Sequence, residues 1–575
     1  MVIAMEKMKN HGANRKKSLI KLLAGVSILV VINLAGTLGF FRLDLTQEKR
    51  YTLSDNTINL LKQVDDIVYF RIFLDGELPA SYTKLRNSIR ETLDDFRAYN
   101  KANIQYEFID PSQGKDKKTL NDYYNELVAK GLQPAVDRQQ NSSSTEQRII
   151  WPCALVSYKT RETAVNFIQT GQQPDKEVLI NESLESLEFN LIDAIRRLFV
   201  REKPKIAFIE GHGESNAMKT EDITRSLTDY YSVERIRINQ QLKSLDNFKT
   251  IIIAGPDSVF DEKDKFIIDQ YIMDGGRVLW LIDGTATNMD SLQSSAETVA
   301  IANELNLEDM LFKYGVRINN NLLLDLNSCP IPVKTGQIGD QPQFDYFNWY
   351  YFPSIANTDG HPIVKNLNAI RFEFVSGIDT VGGGGIKKTV LLSTSDHSRI
   401  LNTPAIISLS VLNETPSKDF FNKSKIPVAV LLEGSFSSVF ANRVPPEIAE
   451  DKEIGFNETG KPTKMIVVSD GDIINNQFVN RNGQFYTYPL GYDRFTGLNY
   501  GNKDFLLNCM NYLTDESNLL EIRSRELKIR LLDKTMIASN QAYIKWSNVL
   551  GPVFLVILFG LVLMIFRKIK LRKGL

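Results

Sequence analysis

Thr250–Asp283 reads TIIIAGPDSVFDEKDKFIIDQYIMDGGRVLWLID. Its first five residues are apolar without alternation, as in a strand buried on both faces. Asp261–Asp274 carries the spacing of a helix, which the glycine pair Gly275–Gly276 ends. Arg277–Ile282 is a second continuous apolar strand. A strand, a helix and a strand of this kind form a parallel pair whose two faces are both covered. Working outward, Lys205–Glu210 (KIAFIE) and Val233–Ile238 are further strands, with a helix over Thr220–Tyr230 between them. Downstream, core-type strands return at Val428–Leu432 and Met465–Ser469, and Lys503–Leu513 is a closing helix. Between about 311 and 426 the pattern breaks into loops and short strands, which reads as an insertion. The predicted class is α/β, with a doubly wound central domain over 201–515.

Upstream lies a second α/β region, 42–200. Ser54 caps a short helix with Ile58, Leu61 and Val64 on one face. Ile67–Leu74 is a strand, Tyr82–Asn100 a helix with Leu85, Ile89, Leu93 and Phe96 in register, and Ile104–Asp110 the next strand. Arg148–Tyr158 and Thr163–Gln169 read as a strand pair, and Gln139–Thr145 (QQNSSST) as an exposed loop. The order suits a thioredoxin-like arrangement, but without a CxxC a redox role is excluded. Asn181–Val200 is an amphipathic helix with Glu182 and Glu185 in its first turns and Arg196 and Arg197 in its last. Pro204 stops it, and the boundary falls near Arg201.

Two apolar stretches flank these domains. Leu19–Phe41 is about 23 residues long, enough to cross a hydrocarbon core of roughly 30 Å. Lys7, Lys9, Arg15, Lys16 and Lys17 precede it, so the tail 1–18 stays cytoplasmic. A cleaved signal peptide is the competing reading, but no A-x-A-like site or lipobox cysteine follows. Val549–Phe566 is uncharged, within a span taken as 548–566, and Arg567, Lys568, Lys570, Arg572 and Lys573 follow in the tail 567–575. Both ends are then inside. The domains and a membrane-proximal segment, 516–547, lie outside: a two-pass protein of the bacterial inner membrane with a periplasmic bulk. In the first span Asn33, Gly36 and Gly39 are candidates for close packing against another helix in lipid.

Lys+Arg total 68 against Asp+Glu 69, and no basic stripe lies outside the tails, which argues against a nucleic-acid partner. Cys153, Cys329 and Cys509 are far apart and lack metal-ligand spacing. Gly455–Thr463 (GFNETGKPT) almost spells a phosphate loop, but Pro462 replaces the hydroxyl residue and a strand follows instead of a helix. Nucleotide binding is therefore not expected, and energy must come from another chain.

KIAFIEGHGE, the run Ile251–Asp283, YGVRINNNLLLD and VVSDGDIINN together resemble the gliding-motility-associated ABC-transporter subunit family GldG of Bacteroidetes. Around it lies a broader group of extracytoplasmic ABC-transporter auxiliary domains. RLDLTQEKRYTLS and GNKDFLLNCMNYLTDE extend the likeness to nearly the whole chain. The resemblance implies a flavodoxin-like, class I glutamine-amidotransferase-like central domain without catalytic machinery. It also implies a membrane permease and a cytoplasmic ATPase as partners, in a complex needed for gliding.

Three constellations carry possible chemistry. Gly211, His212, Gly213 and Glu214 stand at the carboxyl end of the first central strand, where open α/β sheets bind ligands. His212 and Glu214 have the makings of a base and its orienter, yet no nucleophile accompanies them; a structural turn is the plainer reading. Asp470 and Asp472 end another core strand and, with Asp283, could face a cation, although Asp-Gly is also a common turn pair. No metal, cofactor or catalytic residue is assigned. Phe344–Phe352 (FDYFNWYYF) holds seven aromatics, either a small core for the insertion, the favoured reading, or a partner- or glycan-binding surface. The expected function is thus a non-enzymatic, membrane-anchored transporter subunit. Its rivals are a surface-polymer-binding module and a degenerate amidotransferase-like hydrolase.

Overall fold

The computed structural model describes most of residues 52–514 and 536–572, together with 20–28 and 30–31. Outside the described residues lie 1–19, 32–51, 515–535, 573–575 and short internal stretches, among them 169–175, 200–202, 293–296 and 414–418. Asn33, Gly36, Gly39 and most of the expected first span therefore lie outside them; residues 20–28 and 30–31 are helical and exposed. The chain divides into two compact units, Met1–Arg525 and Glu526–Leu575.

In the first unit, α1 (Asp55–Gln63) starts at Ser54, whose hydroxyl accepts from Thr57 N–H at 3.0 Å, satisfying one orphan donor of the first turn. β1 (Val68–Ile72), α2 (Ala80–Tyr99) and β2 (Ile104–Phe108) form the expected strand–helix–strand unit with β1 and β2 parallel. A helix not anticipated, α3 (Lys117–Ala129), follows. Then come β3 (Ala135–Asn141), β4 (Ser144–Ile150), β5 (Cys153–Tyr158) and β6 (Arg161–Asn166). β3 and β4 pair antiparallel from Ala135↔Ile150 to Asn141↔Ser144. Gln139–Asn141 and Ser144–Thr145, expected in an exposed loop, are thus paired strand residues of a hairpin. The four-stranded sheet has the order β2-β1-β5-β6, with β5 antiparallel to both neighbours. The helix expected over Asn181–Val200 is two, α4 (Lys176–Glu185) and α5 (Leu187–Phe199). They break at Ser186, whose hydroxyl donates back to Ser183 C=O, a local bond that competes with the helix ladder.

The central sheet begins with β7 (Lys205–Glu210), α6 (Glu221–Thr228), β8 (Ser232–Arg237), β9 (Thr250–Ala254), α7 (Glu262–Met273) and β10 (Arg277–Leu281). A long hairpin follows, β11 (Ser328–Ile338) with β12 (Gln341–Ile355). β13 (Ile386–Ser393), β14 (Pro427–Ser437) and β15 (Thr459–Val468) complete the sheet. Then come a short hairpin, β16 (Phe478–Arg481) with β17 (Gln484–Thr487), and α8 (Asn502–Thr514). The sheet order is β13-β14-β15-β10-β9-β7-β8. Its five parallel members, counted in chain order, run 2-1-3-4-5, while β14 and β13 close one side antiparallel. β13 comes from inside the stretch read as an insertion. Gly455–Thr463 ends inside β15 and so offers no helix N-terminus to a phosphate.

Side chains of a strand alternate between faces, and both faces of this sheet are filled. Ile206, Phe208, Ile252, Leu279 and Ile466 pack with Ile223 and Leu227 of α6 and Phe505, Leu506 and Met510 of α8. Ala207, Ile251, Ile253, Trp280 and Val467 pack with Ile267, Ile268, Tyr271 and Ile272 of α7. Fully burying one such side chain contributes about 1.5–3 kcal/mol. The second unit contains α9 (Gln541–Arg572), in which Tyr543–Ile569 is 27 residues of apolar helix with no part of its apolar window buried. It is long and apolar enough to cross a membrane.

Candidate functional site

In the order 2-1-3-4-5 the chain turns one way from β7 to β8 and the other way towards β9. The crevice at the carboxyl ends of β7 and β9 is therefore the topological switch point, where such sheets place ligands. Gly211–Glu214 occupies it. Gly211 and Gly213 have φ of +129° and +76°, a region that favours glycine. A Cβ on Gly213 would lie 1.5 Å from Asp257 Oδ1. Ser215 N–H donates to Ala254 C=O at 2.8 Å, and the N–H groups of Asp257 and Ser258 both donate to His212 C=O at 3.0 Å. The turn is thereby bound to the end of β9.

The His212 ring is closed off on three sides. Nδ1 lies 3.2 Å from Glu214 Oε1, Nε2 lies 3.3 Å from Asp264 Oδ2, and the ring stacks on Phe260 at 3.7 Å between centroids. Glu214 Oε2 also accepts from His212 N–H at 2.7 Å. Burial opposes the imidazolium, but Glu214 and Asp264 outweigh it and raise the His212 pKa above its ordinary value. A ring with a carboxylate at each nitrogen is a double donor. Both ring nitrogens thus face carboxylates of the chain itself. Asp264 is itself fixed by α7: its N–H donates to Asp261, and its Oδ1 accepts from Gln240 N–H at 2.8 Å.

The carboxyl ends of β10 and β15 meet beside this turn. Asp470 is fully buried and faces backbone: Oδ2 accepts from Glu373 N–H at 2.7 Å, and Oδ1 accepts from Asp472 and Ile473 N–H at 2.8 and 3.0 Å. Asp283 Oδ1 accepts from Gly471 N–H at 2.7 Å. A Cβ on Gly471 would come within 2.5 Å of both Gly255 Cα and Asp283 Oδ2. Burial, with Asp472 and Glu373 nearby, pushes the Asp283 pKa up to about 8. Burial, with the charges of Asp283 and Asp472 beside it, pushes Asp470 well up. Burial also raises Glu373, against the pull of Arg371 at 2.9 Å. Asp470 and Asp283 hold turns together by accepting backbone N–H groups. Among the described residues no group of three or more His, Cys, Asp and Glu is placed to hold a metal ion.

All three cysteines are buried and free, and burial pushes their thiols up, Cys329 to about 11, the opposite of an activated nucleophile. A cavity of about 450 Å³ lies beside Asp283, lined by Asn303, Arg317, Asn319 and Asn402. A larger cleft of about 1020 Å³ separates the first domain from the central one, with Arg197, Asn166, Tyr230 and Lys503 on its walls. The two domains are tied across it by Asp193, which pairs with Arg196 and Arg197 and accepts from Tyr230 Oη at 2.9 Å.

The aromatic stretch divides. Trp349, Tyr351 and Phe352 are buried with Leu322, Leu324 and Phe374, whereas Phe344, Tyr346 and Phe347 are 49%, 51% and 37% exposed. Burial, the favoured expectation, therefore holds only for the second half. The first half runs beyond the sheet as a two-stranded ribbon. Phe260, Asp264, Glu373 and Asp193 were not singled out from sequence; only the capping pattern FDEKD ahead of α7 signals any of them.

Residues 203–509 match the family model described as an ABC-type uncharacterized transport system. Residues 47–157 match a domain of unknown function. An uncharacterized protein of Borreliella burgdorferi is 20% identical over 578 residues, covering 96% of this chain and 98% of its own. Among solved structures, the mmIFT52 N-terminal domain overlays 54% of this chain and 97% of its own at 13% identity, with a TM-score of 0.30. The exo-beta-1,4-mannosidase Op5Man5 of an Opitutaceae bacterium overlays 67% of this chain and 46% of its own at 10% identity, with a TM-score of 0.19. Overlays at these scores carry no common fold.

Proposed function

Because this chain belongs to the ABC-type uncharacterized transport system family, we propose that it is a non-enzymatic, membrane-anchored extracytoplasmic subunit of an ABC-transporter complex. Its partners are a permease and a cytoplasmic ATPase. Two spans hold it in the inner membrane, with both tails inside and the two α/β domains in the periplasm. The apolar helix Tyr543–Ile569 supports the second span, and the basic flank of Leu19–Phe41 supports the first. The strand order 2-1-3-4-5 supports a flavodoxin-like ancestry for the central domain, and β2-β1-β5-β6 supports a thioredoxin-like first domain. The gliding role rests on likeness to the GldG family alone.

The observation that carries the non-catalytic reading is the double engagement of His212, whose two ring nitrogens each face a carboxylate at the switch point. Crosslinked co-purification from membranes tests the reading: the permease and the ATPase should be captured with the full chain. Recovery of neither would contradict it. Loss of gliding on deletion, in a host that glides, tests the motility role. A second reading, a module that binds cell-wall or surface polymer, is favoured only by the exposed rings of Phe344, Tyr346 and Phe347. A polymer pull-down with and without those rings separates the two.

A further inference from the structure

We infer that the cavity of about 450 Å³ beside Asp283 is a binding site for an uncharged peptide segment carrying an aliphatic side chain. It lies at the carboxyl end of β10, the side of a parallel sheet on which ligands are held, and its size is that of a small-ligand pocket. The site is independent of the partners proposed above. Its walls are held by the chain itself. A Cβ on Gly284 would come within 2.5 Å of Ser376 Oγ and 2.6 Å of Asn319 C=O, so only a glycine admits this close approach. Asn303 Nδ2 donates to Asp283 C=O at 3.1 Å, and Asn321 Oδ1 accepts from Gly377 N–H at 2.9 Å. The strand Asn321–Asp325 pairs antiparallel with Ser398–Asn402, which brings Asn402 to the same cavity.

The lining itself selects the ligand. Ile282, Leu305, Leu307 and Leu311 are buried apolar side chains along it, a floor suited to an aliphatic group. The charged residues of the lining are already committed. Arg317 Nη2 lies 2.7 Å from Asp379 Oδ2, Glu308 Oε1 accepts from Leu305 N–H at 3.4 Å, and Asp283 Oδ1 accepts from Gly471 N–H at 2.7 Å. With its pKa pushed up to about 8 by burial and Asp472, Asp283 is also largely uncharged at neutral pH. A phosphate or carboxylate would meet only a guanidinium that already has a carboxylate partner. What remains is amide: Asn303 Oδ1 and the side chains of the exposed Asn320 and Asn402 have no partner among the described residues. An asparagine amide both donates and accepts, which matches the N–H and C=O of a peptide group. Sugars are held by stacking on rings as well as by hydrogen bonds, and the lining contains no aromatic side chain.

The test uses the full chain in nanodiscs and, as probe, N-acetyl-leucine N-methylamide, which has an aliphatic side chain, two peptide groups and no charge. Titration followed by ligand-observed NMR should saturate, with a dissociation constant on the order of 1 mM for a ligand of this size. Glycine in place of leucine in the probe should weaken binding about tenfold, the effect of losing one buried aliphatic side chain. Free zwitterionic leucine should bind no better than the glycine probe. Asn402→Trp and Asn320→Trp, each at an exposed position, should block the cavity and weaken binding about tenfold at unchanged unfolding temperature. Should one variant fail to accumulate, the other gives the same reading, and the probe series needs neither. No saturable binding up to about 10 mM overturns the site, and so does binding that survives both substitutions. Tighter binding of N-acetylglucosamine or inorganic phosphate than of the blocked leucine overturns the ligand class.

Discussion

The switch-point turn and the aromatic ribbons are opposite solutions to the same problem of unpaired chemistry. At the turn the polar groups are engaged within the chain: His212 lies between Glu214 and Asp264, and Asp470 accepts three backbone N–H groups. On the ribbons, rings that would be core elsewhere stand in water. A position that looks catalytic thus has its polar groups engaged within the chain, and a stretch that looks like core is partly exposed. The lesson is that location in a fold suggests a role, whereas the state of each polar and apolar group decides it.

Substitutions sharpen this contrast, beginning with the largest expected effect. Trp349→Ala, in the buried half of the aromatic stretch, should cost about 3–5 kcal/mol in chemical unfolding. His212→Ala removes the ring that lies between two carboxylates and should cost about 3 kcal/mol. Gly471→Ala drives a methyl against the Gly255 backbone and should cost about 2 kcal/mol, with little relief because the obstacle is main chain. A loss below about 0.5 kcal/mol for any of the three would break the assignment of that region as closed packing.

Titration gives a smaller and graded effect. Asp283, with its pKa near 8 in the folded chain, keeps a proton that the unfolded chain releases near pH 4. The folded state then binds more protons, so this group's stabilisation is full below about pH 4 and falls as pH rises towards 8, by up to about 1.4 kcal/mol per pH unit. His212, also raised, contributes with the same sign: its share is present below its unfolded value and is lost as pH passes its folded one. Asp283→Asn should flatten the slope between pH 5 and 8, and an unchanged slope would remove Asp283 from the account. Smallest of all, Phe344→Ser with Tyr346→Ser should change stability by about 0.5 kcal/mol or less.

Much of the central sheet was legible because its strands are unbroken apolar runs and its helices are capped and ended by recognisable residues. TIIIA, RVLWL and KIAFIE fall where expected, and so do the Ser54 cap and the closing helix. The long hairpin was not legible, since Pro330, Pro332, Pro342 and Pro353 within it argue against strands; a ribbon largely outside the main sheet tolerates them. The turn GHGE was visible, but its meaning was not. Asp264, which engages His212 Nε2, arrives from α7, and Glu373 meets Asp470 across 97 residues of sequence. Contacts of that separation leave no local pattern. The split of the aromatic stretch was hidden for a related reason, because periodicity cannot say where a strand leaves its sheet.

The central claim is that His212 supports the fold and performs no chemistry. Its most direct test is complementation by full-length His212→Gln, measured at a temperature where unfolding curves show the variant to be folded. The predicted result is a lowered unfolding temperature with wild-type function and permease capture. A variant as stable as wild type that captures the permease yet fails to complement would contradict the account and return His212 to catalysis.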